Sequence, residues 1–120
     1  MIAVCTEFKL EMCLDLSHAK LYTNLTGDDY SAYIIAAAPF TKHLHVSDAS
    51  NVDQEGVQID EGDVDFATAF RLLEAYGKLE NMTWTPEIWQ GHNDRNDGFL
   101  TAFKRLERIP QLKPRLETSP

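Results

Sequence analysis

The sequence predicts an α/β fold in which short parallel strands alternate with amphipathic helices in the order βαβαβα. Three observations carry this reading. Short apolar segments recur, each ending near an Asp, His or Glu; the segments between them place apolar residues at helical spacing between recognisable caps; and no linker, low-complexity tract or repeat divides the 120 residues. Strands that alternate with helices pair in parallel through right-handed crossovers.

The first strand is Leu10 to Leu14, and Asp15 and Ser17 then open a helix-like stretch through Leu21 and Tyr22. Asp28 or Asp29 caps a second helix, whose Tyr30, Tyr33, Ile34 and Ala37 fall at i, i+3, i+4 and i+7 before Pro39 stops it. His43-Leu44-His45-Val46 is the second strand, followed by a polar segment from Ser47 to Asp63 that is longer than a connection needs, a length that points to function. Asp63 or Asp65 starts a helix with Phe66, Ala69, Phe70, Leu73 and Tyr76 on one face, ended by Gly77. Met82 to Trp89 is the third strand, and Asp97 caps a final helix carrying Phe99, Leu100, Phe103 and Leu106. Residues 1–120 therefore read as one partial domain with a core over about residues 10–107 and a loose tail over 108–120.

Composition sets bounds on function. With 43% hydrophobic and 25% charged residues the chain has the makeup of a packed globular protein. A net charge of -8 repels phosphate backbones and anionic lipid, which disfavours nucleic acid and membrane partners. Cys5 and Cys13 lie too close for a disulfide framework and lack C-x-x-C spacing, and Cys13 is expected to pack as a small hydrophobe. Neither a membrane-length apolar run nor a signal peptide is evident, so a cytoplasmic protein is expected.

In such architectures functional side chains gather at the carboxyl ends of the strands. The first strand ends at Asp15, with His18 three residues on; the second carries His43 and His45; the third carries Glu87, followed by Trp89 and His92. One Asp, one His and one Glu on neighbouring parallel strands suit a divalent cation such as Mn, Mg, Co or Zn. Each also has a plain structural reading. Asp15 serves equally as a helix cap, a lone strand histidine is more often hydrogen-bonded structure than ligand, and Glu87 could sit at a surface edge. His43 shares a strand face with His45 and is expected to be structural or to support the site from behind.

The segments CLDLSHAKL, KHLHVSDA, EGVQIDEGDVDF and TPEIWQGH, in that order with helices between, resemble the xylose-isomerase-like barrel family of sugar phosphate isomerases and epimerases. The resemblance covers about Leu10 to Leu106. It implies a (β/α)8 TIM barrel of which this chain is the carboxyl-terminal half, with a divalent ion held by Asp15, His45 and Glu87 and by a further Glu from an upstream strand. His18 would contact metal or substrate hydroxyls, Trp89 and His92 would bind substrate, and Glu87 is a candidate proton carrier, because related barrels use metal-bound glutamates as acid and base. The implied reaction moves a proton or hydride between adjacent sugar carbons. Two departures stand out: Asp60 occupies the first glycine of the family's Gly-Glu-Gly loop, and Ala49, Ser50 and Asn51 stand where many epimerases place a sugar-binding arginine.

A whole barrel takes about 250 residues, so the resemblance puts the missing strands before Met1. The first hypothesis is thus a fragment or split piece of a metal-dependent isomerase or epimerase acting on a sugar or sugar phosphate, inactive until a missing amino-terminal half-barrel completes it. The second is a non-catalytic half-barrel, a binding or assembly module that pairs with a second copy of itself to cover its open edges. An endonuclease IV-like DNA repair reading would need more His and carboxylate ligands and a DNA-tolerant surface, which the acidic charge opposes.

Overall fold

The structure, a computed structural model, describes residues 1–112. A short amino-terminal helix α1 (Ile2–Phe8) precedes strand β1 (Met12–Asp15). Helices α2 (Leu16–Thr26) and α3 (Tyr30–Ala37) lead through a single 3-10 turn, Ala38–Phe40, into β2 (Thr41–Val46). A small hairpin, β3 (Asp48–Ser50) and β4 (Gln54–Val57), is followed by α4 (Phe66–Tyr76), a second 3-10 turn, β5 (Thr83–Pro86) and α5 (Asn93–Leu106).

Three helices start where an aspartate can satisfy otherwise orphaned backbone N–H groups. Asp15 Oδ1 accepts from His18 N at 2.9 Å, Asp29 Oδ1 from Ser31 N at 2.8 Å, and Asp65 Oδ1 from Thr68 N at 3.0 Å. Each such cap stabilises its helix by about 1 kcal/mol. The Thr68 hydroxyl also donates to Asp65, and the two bonds together hold that carboxyl below the usual range.

β1, β2 and β5 form one parallel sheet in the order β1-β2-β5. It is open among the described residues, with β1 and β5 at its edges. The two-residue period sorts its side chains. Leu14, Leu44 and Val46 point toward α2, α3 and α4 and are fully or almost fully buried with Ile34, Phe70 and Leu73. Burying each such side chain contributes about 1.5–3 kcal/mol. The opposite face carries Cys13 and Asp15, His43 and His45, and Thr83 and Thr85, all at least partly exposed.

The segment after β2 is held by one side chain. Asp48 is fully buried, and its carboxylate accepts backbone N–H bonds from Ala49 at 2.8 Å, Gly62 at 2.9 Å and Val64 at 2.9 Å. Gly62 passes so close that a Cβ there would lie 2.3 Å from the Ala49 carbonyl oxygen. Asp60 sits in the left-handed region at φ 70°, the conformation for which glycine is the ordinary residue.

Several expectations change. α1 and the β3–β4 hairpin were not foreseen, since neither has a clear apolar period. β5 stops at Pro86, so Glu87 and Trp89 lie beyond the strand, although Glu87 N still bonds to Val46 O at 3.0 Å. Cys13 is exposed on the polar face and it is Cys5 that is buried. Tyr76 is 53% exposed at the far end of α4, outside the covered face. Packing extends to Leu112, which is fully buried with Ile109; the rest of the tail expected to be loose lies outside the described residues. Apolar side chains remain exposed on both flanks of the sheet, at Val4, Phe8 and Leu10 and at Leu100 and Phe103.

Replacing Asp48 by Ala strands three N–H groups, two buried and one partly buried, and is expected to lower stability by about 3 kcal/mol or more, read as a denaturant midpoint. Asp60→Gly removes a left-handed penalty and is expected to raise stability by roughly 0.5–1 kcal/mol in the same measurement.

Candidate metal centre

Register brings the three strand-end residues together. Asp15 pairs directly with His45 across β1 and β2, and His45 pairs with Thr85 across β2 and β5. Glu87 follows Thr85 by two residues and so returns to the same face. His45 Nδ1 lies 3.2 Å from Glu87 Oε2 and 3.7 Å from Asp15 Oδ2. One ligand atom from each of Asp15, His45 and Glu87 falls within 4.8 Å of the others. An ion about 2.0–2.6 Å from every ligand demands such a spacing. Two carboxylate oxygens and an imidazole nitrogen also suit a hard or borderline divalent cation.

Asp15 performs both tasks the sequence left open: Oδ1 caps α2 while Oδ2 faces the imidazoles. Glu87 is half exposed, with its side chain at 48%, so burial is not what marks it out; its partner His45 is. His43 sits one pleat deeper. Its Nδ1 is 2.6 Å from the Thr83 hydroxyl, and its ring meets that of His45 edge-on at 5.2 Å. That contact buttresses His45 from behind.

His18 stands on the first turn of α2 with Nδ1 3.2 Å from Asp15 Oδ2 and Nε2 in contact with Glu55 of the hairpin. The Glu55 hydrogen bond raises its pKa above the ordinary imidazole value, partial burial opposes this, and Asp15 adds to the rise. The Cys13 thiol is also pushed up, first by partial desolvation against the sheet and then by the nearby charges of Asp15 and Glu87.

Above the strand ends lies an open cleft of about 500 Å³ that includes Asp15, His18, Glu55, Glu87, Trp89 and Phe99 in its lining. Trp89 is 76% exposed there. Its backbone N–H donates to Gly56 O at 2.8 Å, and Gly56 N reaches the Ser17 hydroxyl at 3.4 Å, so the hairpin, α2 and the loop after β5 share one rim. His92 is exposed at the start of α5 and is not among the lining residues. Glu55 was missed by sequence reasoning because it sits in a polar segment with no motif spacing; the unusual length of that segment was its only signal.

Residues 1–109 match the family model of the xylose isomerase-like TIM barrel. The chain belongs to that family. Comparisons with curated proteins and with solved structures gave no match. Among the described residues no helix is long and apolar enough to cross a membrane.

Proposed function

We propose that this xylose isomerase-like chain contributes the metal-binding strands of a divalent-metal-dependent isomerase or epimerase acting on a sugar or sugar phosphate. The observation that carries the reading is the convergence within 4.8 Å of Asp15 and His45, on two parallel strands, and Glu87, just past the end of a third, beside a cleft on the open face of the sheet.

These residues would hold Mn, Mg, Co or Zn, and the bound ion would supply Lewis-acid polarisation of a carbonyl and its neighbouring hydroxyl. The chain's own groups then have separate tasks. His18, with Nδ1 on Asp15 and Nε2 on Glu55, holds these two carboxylates in place beside the cleft. Glu87, half exposed at the cleft, accepts and returns a proton through its carboxylate. Trp89 offers an apolar face against the sugar ring.

Only three strands line the described site, whereas a barrel surrounds its centre with eight. The apolar flanks at Phe8 and Leu10 and at Leu100 and Phe103 favour completion by further barrel strands or by a second copy of this chain. Turnover requires that completion. The same flanks favour, as a second reading, a half-barrel that assembles without catalysis.

His45→Ala is expected to weaken Mn2+ binding at least about a hundredfold, measured by electron paramagnetic resonance titration, while the far-ultraviolet circular dichroism stays native. Unchanged affinity would remove the metal assignment. For the isolated chain, sedimentation equilibrium is expected to give a mass above the monomer at micromolar concentration, with charge substitutions at Leu100 and Phe103 returning it to monomer.

A further inference from the structure

Trp89 stands between two clefts. Besides the strand-end cleft it lines a second, of about 590 Å³, and Glu55, Gly56 and Ile88 border both. The second cleft runs between the hairpin and α5, with Gln58 and Glu61 on one wall and Asp97, Thr101 and Arg105 on the other. These last three recur every four residues and so share one face of α5. Bonds within this chain hold the two walls together: Gln58 Nε2 donates to Gly98 O at 3.0 Å, and Arg105 Nη1 donates to Ile59 O at 2.7 Å and to Glu61 Oε2 at 2.5 Å. Both walls belong to the described fold, so this cleft needs no further strand to form.

Arg105 is anchored at one nitrogen only. Its side chain is 30% exposed, and among the described residues its Nη2 and Nε have no hydrogen-bond partner. Donors of a guanidinium that is held in place and mostly buried are costly to leave unpaired. One turn earlier the half-buried Thr101 hydroxyl is likewise unpaired among the described residues, and the Asp97 and Glu55 carboxylates add acceptors. Fixed donors and acceptors beside an exposed aromatic face are what the hydroxyls and C–H face of a sugar ring engage. Where the two clefts meet, Gly56 adds no side chain: it takes φ 65°, and a Cβ there would lie 3.3 Å from Trp89 N.

We infer that the substrate spans both clefts: the sugar that meets the metal site carries a second, glycosidically linked sugar, which lies across Trp89 in the cleft of Thr101 and Arg105. The inference rests on the metal-dependent reading above and names its substrate class, an oligosaccharide of at least two units. Arg105 binds the second unit through Nη2 and Nε, and Trp89 packs against both units at the border.

The test uses the full chain, with binding of Mn2+ alone established first by electron paramagnetic resonance. With Mg2+ then replacing the paramagnetic ion, D-fructose is compared with lactulose, a galactose linked to fructose, by saturation-transfer NMR. The wild-type chain is expected to transfer saturation to the galactosyl as well as the fructosyl protons, and to bind lactulose about tenfold or more tighter than fructose, the scale of one hydrogen bond from a charged donor. Thr101→Trp fills the second cleft and should abolish both the galactosyl signal and the preference. Arg105→Lys keeps the charge but not the planar fork and should reduce the preference severalfold. Circular dichroism verifies that the variants are folded, and Thr101→Trp carries the test by itself if the loss of the Ile59 bond unfolds Arg105→Lys. Mn2+ binding with equal affinity for the two sugars, with no transfer to galactosyl protons, with no binding of either sugar, or with a preference that survives Thr101→Trp, overturns the two-unit substrate and leaves the metal reading in place. Absence of Mn2+ binding overturns the metal reading on which it rests.

Discussion

The buried carboxylate of Asp48 is the interaction on which the upper end of the molecule depends. It lies two residues past the end of β2, where the chain must leave a parallel strand, form a hairpin and return to start α4. A fully buried charge is tolerable only with several donors, and Asp48 has three backbone N–H groups spread over residues 49–64. The same residue's carbonyl oxygen accepts from the Ser17 hydroxyl at 2.9 Å, tying α2 to this loop. Through Ser17 the link reaches Gly56 and through Gly56 it reaches Trp89. Three separate βα connections are thereby fixed relative to one another, which holds Glu55, His18 and Trp89 along one rim of the cleft.

Beneath this rim the sheet supplies the second ordering principle, the alternation of side chains along each strand. A residue facing α2, α3 and α4 is apolar and buried; its neighbour is polar and faces the open side. Leu14 and Asp15 divide in this way, as do Leu44 and His45. A one-residue slip of β2 against β1 would bury His43 and His45 among the helices and expose Leu44 and Val46, so the core enforces the register that sets Asp15 opposite His45. Packing and site geometry are consequences of the same constraint.

That constraint explains what was legible in the sequence. The helices were readable because Asp15, Asp29 and Asp65 are strong caps and because Phe66, Phe70 and Leu73 repeat at helical spacing. The strand ends were readable because each carries an acid or an imidazole inside an otherwise apolar run, and the family likeness ordered them. The hairpin was not, because residues 48–57 are held by side chain to backbone bonds and close approaches at Gly62, which leave no periodic trace. Glu55 was invisible for the same reason. The kinked start of α5 was equally opaque: Gln90 before it and Asp94, Arg95 and Asn96 within it all take positive φ without being glycine, and local sequence preference would not place Arg95 there.

One electrostatic feature bears directly on the metal reading. Asp15, Glu55 and Glu87 gather at one cleft of an acidic chain, and charges of one sign concentrated there make its potential more negative than that of the surrounding surface. His18 gains affinity for its proton in that field, and part of the negative charge is thereby offset. The remainder is of the sign that a divalent cation neutralises.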